Sequence, residues 1–412
     1  MVLRIYNAYR EAYSGLPREI WILSLIMLIN RAGTMVMLFF ILYLTNVFGF
    51  SNQVAGGIIS LSALGGIFGA LFGGWFADRF GSIKAQIVFL ILVGFHFFVM
   101  LLAQSLVEIT LALFVLMFLN EAVRPGLHSA CLDYCEPHQQ KRSMGLLRLT
   151  INLGMAIGPV IGGFMAEYEL WNGMFILDGL TCIASAILLF LFFGFGINRH
   201  PALEGSEKKE IQPVQSPWRD QRMLSFGIFY LLMLIVFIQV ASTFIKYLQE
   251  VYGFSESQIG LINAINPLLI VAVEMVIIKA IEGYSTIRTI AVGSLLLCLG
   301  FGLLPFGTST AFCIFTVVVW TFGEIFAFPM AAAYVAELSN ERNRGSYMGF
   351  ITVMFSCSMI IGPLIGLSLY EIDKDLPWYL ALLVGAISFL FLWNMKTENP
   401  ESQPIVQVSE RD

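Results

Sequence analysis

The chain has 412 residues, of which 58% are hydrophobic and only 12% charged, with a formal net charge of −5. Soluble domains carry roughly 25% charged residues, so this composition excludes an ordinary soluble protein, and its mildly acidic balance offers nothing to nucleic acid. Alternating strands of about ten residues are absent, which excludes a lipid-spanning barrel and leaves helices to satisfy the backbone in a bilayer.

Twelve apolar runs follow one another, each long enough to cross about 30 Å of hydrocarbon. The first, about 20–44, holds Asn30 and Arg31. It has no small-residue cleavage site, so it is expected to stay as a helix rather than leave as a signal peptide. The second, 54–77, sets Gly65, Gly69 and Gly73 at i, i+4 and i+8, a small-residue stripe that lets another helix come close. The loop after it reads GGWFADRFGSIK. The third run, 84–104, places His96 among aromatics, as packing. The fourth, 108–132, carries Asn120, Glu121 and Arg124. The fifth, 143–166, contains LGMAIGPVIGG, with Gly154, Gly158, Gly162 and Gly163 around Pro159. Proline removes a backbone bond and bends a helix. The sixth run, 173–197, leads into a charged, proline-containing stretch at 198–222, which reads as a linker. Beyond it come 223–245 with Gln239, 258–281 with Asn263, Asn266 and Glu274, and 286–306. The last three are 310–336 with Glu324, 345–369 with Gly362 and Pro363, and 377–396. The six cysteines are scattered in or beside spans and read as packing residues, with no metal site.

A single offset of 204 residues relates the two halves. FGFSNQVAG from Phe48 returns as YGFSESQIG from Tyr252, and DRFGSIK from Asp78 returns as EGYSTIR from Glu282. Pro125 matches Pro329, and Gly158-Pro159 matches Gly362-Pro363, all without a gap. The organisation is therefore two parallel six-helix halves, 1–197 and 223–397, joined by the linker and followed by a tail, 398–412. Of the 23 Lys and Arg residues, only Lys246 and Lys374 fall in segments opposite the N-terminus, while Arg31, Arg124 and Arg148 lie within or at the ends of spans. Basic residues stay inside, so both termini are expected in the cytoplasm, and the protein in the inner or plasma membrane.

Two parallel six-helix repeats build transporters that rock about a midplane site. The loop GGWFADRFGSIK resembles the major facilitator superfamily signature G-x-L-A-D-R-x-G-R-K through Gly74, Ala77, Asp78, Arg79, Gly81 and Lys84, departing at Phe76 and Ser82. LGMAIGPVIGG resembles the glycine–proline signature of that superfamily's drug–proton antiporter branch. The resemblance implies an all-α membrane fold of twelve helices. It also implies that Asp78 latches onto the N-terminus of the eleventh helix, near Gly345, where amides and dipole favour an anion. Gly81 would permit the turn, and Arg79 and Lys84 serve equally as topology anchors. The repeated glycine–proline kink is either scaffold packing or an interface that bends during cycling.

The intramembrane charges do not repeat. Arg31 aligns with Ile235, Glu121 with Ile325, Glu274 with Ala70, and Glu324 with Asn120. A charge at the bilayer centre costs about 2.5–3.5 kcal/mol on insertion scales and needs a cavity or a partner. The resemblance implies that the first, fourth, seventh and tenth helices line the cavity, which selects Asn30, Arg31, Asn120, Glu121, Arg124, Gln239 and Glu324, with Asn263 and Asn266 of the eighth helix beside them. Glu121 and Arg124, at i and i+3, either neutralise one another or serve the site. Arg31 is either a structural counterion or a fixed charge for a substrate. A proton-carrying acid must be buried away from cations. Glu324 and then Glu274 fit, because neither has a basic residue within four positions. The expectation is a monomeric, cofactor-free secondary transporter that exports a small amphipathic compound against proton entry. Uptake of a metabolite or peptide-like solute is the alternative, and a non-transporting sensor a remote one. No nucleotide-binding loop or catalytic pattern suggests an enzyme.

Overall fold

The computed structural model describes residues 13–195, 216–281, 283–339 and 343–395. The tail, most of the linker and Glu282 lie outside the described residues. Among the described residues the chain is helical and has no strand.

Span 1 comprises Arg18–Ala32, then Val36–Leu42, then a widened turn at Tyr43–Val47. Spans 2 to 6 are Asn52–Phe80, Ser82–Met100, Leu106–Asp133, Gln140–Glu167 and Trp171–Phe193. Span 7 comprises Gln221–Ile238, a tight turn at Gln239–Ala241, and Thr243–Glu250. Spans 8 to 12 are Glu256–Ala280, Thr286–Gly302, Thr310–Leu338, Arg344–Ile372 and Leu376–Trp393. Eleven of these are long and apolar enough to cross a membrane. Span 9 has 17 residues, about 26 Å at 1.5 Å per residue, and a short turn at Leu304–Phe306 extends it.

The sequence predicts spans 1 and 7 as single helices, and the structure breaks both. In span 1 the break follows Gly33. The buried carboxylate of Asp178, on span 6, accepts from the Met35 amide at 3.1 Å and the Val36 amide at 3.0 Å. Those amides open the second segment and have no partner within it. In span 7 the break lies between Gln239 and Ser242. The Gln239 side chain donates to the Gly362 carbonyl of span 11 at 2.9 Å and accepts from Thr243 at 2.6 Å. Side chains thus replace backbone bonds on both sides of the repeat.

The glycines show where helices touch. A Cβ on Gly65, Gly69 or Gly73 would lie 2.3, 1.9 or 2.2 Å from the carbonyl oxygens of Phe114, Phe118 and Ala122. The stripe of span 2 therefore holds span 4, within one half. Span 5 lies against span 1, where a Cβ on Gly154 would meet Arg31 Cβ at 2.6 Å and one on Gly158 the Thr34 carbonyl at 2.9 Å. Gly162 faces Met35. In the other half Gly362 faces Ile238 of span 7, and Gly366 faces Gln239. Each glycine–proline run therefore sits opposite the break in its partner span, which is why it occurs twice.

The halves meet through spans 5 with 8 and 2 with 11. At the face opposite the termini they are closed. A Cβ on Gly163 would lie 2.4 Å from the Glu256 carbonyl, and one on Gly260 2.2 Å from that of Pro159. Glu167 accepts from the Ser255 hydroxyl at 3.1 Å and the Ser257 amide at 3.2 Å. Lys246 is buried and donates to Thr45 at 3.2 Å. At the face carrying the termini, spans 2 and 11 stand apart. Among the described residues, nothing lies within 4 Å of a Cβ built on Gly345 or Gly349.

Candidate functional site

Two polar clusters of opposite character lie on spans that border the boundary between the halves, which has open space at Gly345 and Gly349 on the termini face. The first belongs to the N-terminal half. Arg124 donates to Glu121 at 3.0 Å, one turn away on span 4. The Arg124 side chain is 50% exposed although it lies nine residues inside the end of its span, about 13 Å along the helix, where a charge needs a water-filled space or a partner. Arg31 stands close enough to feel both charges. Among the described residues its guanidinium makes no hydrogen bond, and Nε is buried without a partner. His128 lies one turn beyond Arg124, beside an array of two arginines and one glutamate.

The second cluster belongs to the C-terminal half. Glu324 is buried at the middle of span 10. Its carboxylate accepts from Asn266 Nδ2 at 2.8 Å, and the same amide approaches Thr321 Oγ1 at 3.1 Å. Its hydrogen-bond partner is thus neutral, as the sequence suggests. Glu274 is different. The sequence finds no cation near it, but Arg148 of span 5 meets it at 2.6 Å across the half–half boundary. A cavity of about 300 Å3 surrounds this pair, lined by Tyr13, Arg142, Gly145 and Asn152 on one side and Ile270, Met275 and Ile278 on the other.

Several expected cavity residues have other duties. Asn30 is buried and donates to Cys182 of span 6 at 3.4 Å, joining two helices of one half. Asn263 returns its amide to the Ile259 carbonyl of its own helix at 2.9 Å. Gln239 supports the break in span 7. Asn120 is half-buried on span 4, one residue before Glu121. Within the signature loop Gly81 has φ of 97°, a conformation open to glycine at little cost. A Cβ on Gly74 would lie 3.9 Å from Pro125 Cβ. Asp78 is exposed and, among the described residues, makes no hydrogen bond to span 11. Arg79 lies over the rings of Trp75 and Phe80, and Lys84 over Phe80, as residues at a membrane interface do. Sequence reasoning missed Asp178 and Arg148. The signal for Asp178 was a lone acid in an apolar run, FILDGLTC. Arg148 carried no local signal, since its partner is 126 residues away.

The model of the Major Facilitator Superfamily matches residues 21–279 and 237–410. Multidrug resistance protein MdtH of Proteus mirabilis (strain HI4320) is 25% identical over 332 residues, covering 78% of this chain and 80% of that one. A Na(+), Li(+), K(+)/H(+) antiporter of Planococcus maritimus is 24% identical over 374 residues, covering 81% and 85%. Among solved structures, a POT family transporter in complex with a thioalcohol-conjugated peptide superposes with a TM-score of 0.72 at 16% identity, covering 93% of this chain and 96% of that one. Its likeness is one of fold. The paired six-helix halves, the signature loop and a family match spanning nearly the whole chain lead to one conclusion: this chain belongs to the major facilitator superfamily of membrane transporters.

Proposed function

We propose that this protein is a proton-coupled secondary transporter that exports a small amphipathic compound by alternating access. Both termini would lie in the cytoplasm, as the distribution of basic residues indicates. The boundary between the halves is then open inwards and sealed outwards, with the Asp78 latch released. The observation that carries the reading is Glu324, a buried carboxyl at mid-depth whose hydrogen bond comes from a neutral amide. Such a group can take up a proton without breaking an ion pair of its own. The two relatives, a multidrug resistance protein and a cation–proton antiporter, favour export by exchange over uptake. Aromatic packing such as Phe328 against Phe237 and Tyr230 suits a partly apolar substrate. The unpaired guanidinium of Arg31 is placed to meet a polar or anionic group on it.

The test is transport by purified protein in liposomes under an imposed pH gradient, against a panel of amphipathic compounds first screened by thermal shift. Glu324→Gln imitates the protonated acid. It should abolish gradient-driven movement while leaving substrate binding and exchange measurable. Gradient-driven transport by the Gln variant at the wild-type rate would remove Glu324 from the coupling step, and inward accumulation by the wild-type protein would refute export.

A further inference from the structure

The Arg148–Glu274 pair crosses between the halves at the side where spans 2 and 11 stand apart. Its other cross-half neighbour there is the Tyr13 hydroxyl, 3.5 Å from Met275 Sδ. The seal on the opposite face is backbone packing around glycines, with single charged side chains hydrogen-bonded to neutral groups across the boundary. Here it is one ion pair beside a cavity. The pair is also not isolated. The charges that reach Glu324 are those of Arg148 and Glu274. Asn266, two turns before Glu274 on the same span, donates to Glu324 and approaches Thr321, so the hydrogen bond at Glu324 is to a neutral group. The nearest further cation lining the cavity, Arg142, reaches the Ser14 carbonyl. Among the described residues, two carboxylates therefore share one guanidinium.

Counting charge in this cluster has a consequence. With both acids ionised it carries one unit of negative charge. With one proton it is neutral. A low-dielectric cleft penalises the unbalanced state heavily, whereas water entering the cavity relieves the penalty. We propose that Arg148, Glu274 and Glu324 form a single proton-holding unit with one exchangeable proton, and that its neutralisation is what lets the two halves close together on the termini face. This rests on the proton-coupled reading and deepens it, because neither acid alone is the carrier. On loading, a proton from water forms an O–H bond on one of the two carboxylates while Arg148 stays paired with the other. On release, that O–H bond breaks and the proton returns to water on the opposite side. Arg148 is a positioning residue that sets the count, and it need not touch the substrate.

The count makes an unusual prediction. Glu274→Gln leaves one acid and one arginine, which are neutral without any proton. Glu324→Gln does the same. Both single variants should lose pH-dependent movement. Removing the arginine from the first, as Glu274→Gln with Arg148→Gln, leaves one lone acid, which is neutral only when protonated. The double variant should therefore regain the response that the single variant lost. Arg148→Lys, which keeps the charge, should retain the response.

The measurement is the distance between spin labels at the termini-face ends of spans 2 and 11, in nanodiscs without substrate, from pH about 5 to about 9. A wild-type protein that moves, single Gln variants that do not, and a double variant that moves again would establish the unit. Single variants that respond like wild type, or a double variant as unresponsive as Glu274→Gln, would overturn it. An unresponsive wild-type protein would instead overturn proton coupling itself. If the double variant fails to insert, the contrast between Arg148→Lys and Glu274→Gln still decides, because loss of response in both would mark the pair as structural only.

Discussion

Replacing Asp178 tests whether the break in span 1 is held from outside. The carboxylate is 2% exposed and receives the Met35 and Val36 amides at 3.0–3.1 Å. Asp178→Ala leaves two buried N–H groups without an acceptor. Each such group costs about 1–3 kcal/mol, so the variant should lose about 2–6 kcal/mol. Asp178→Asn should lose less. One oxygen, Oδ2, already receives both amides, and the Asn oxygen can occupy that position. What disappears is the charge, which roughly doubles the strength of such bonds, and the amide nitrogen then faces the Met35 N–H. The order expected is wild type above Asn above Ala. Reversible unfolding in mixed detergent micelles, followed by tryptophan fluorescence, measures it. An Ala variant within about 1 kcal/mol of wild type would show that the break is fixed by the chain itself, and that Asp178 merely accompanies it.

Gly69→Ala drives a methyl group to 1.9 Å from the Phe118 carbonyl and should cost about 1–3 kcal/mol by overpacking. Gly57→Ala, which meets nothing within 4 Å, should be neutral in the same unfolding assay. Asp78→Asn should leave stability in this open state unchanged, since the exposed side chain makes no bond to span 11. It should lower transport and shift spin-label distances between spans 2 and 11 towards the open arrangement, and an unaltered distribution would refute the latch. Arg31→Lys should fold normally, because no hydrogen bond is lost, yet bind substrate more weakly, because an ammonium does not reproduce the planar guanidinium. Wild-type affinity by thermal shift would return Arg31 to a structural role.

Features that depend on one helix, or on comparison of the two halves, were legible in the sequence. The stripe Gly65, Gly69 and Gly73 declared a close contact, and its partner proved to be span 4. The repeated Gly158-Pro159 and Gly362-Pro363 declared equivalent helices. The proximity of Glu121 and Arg124 followed from helical spacing alone. Features that depend on which helices adjoin were not legible. Arg148 meets Glu274 because span 5 packs on span 8, and no local pattern records that. The breaks in spans 1 and 7 were hidden because the residues that sustain them lie elsewhere: Asp178 on span 6, and the Gly362 carbonyl on span 11. Asn30 and Asn263 were drawn to the cavity by their polarity, yet each satisfies itself within its own half, as an amide in hydrocarbon must.

The three carbonyls that press on the stripe of span 2 recur at the same interval as the glycines. Sliding either helix by about 1.5 Å along its axis would take the carbonyls out of the notches that the glycines leave for them. Spans 2 and 4 are thereby keyed together like a toothed joint, stiff in shear. Spans 1 and 7 also meet glycines, of spans 5 and 11, but their own backbones are interrupted and spliced by side chains. The molecule thus combines rigid plates with two compliant members, and the compliance lies beside the cleft, with Arg31 two residues before the break in span 1. Strain applied when the cleft empties or fills would concentrate there, at the polar group placed to sense it, while the keyed helices carry that strain undiminished to the opposite face.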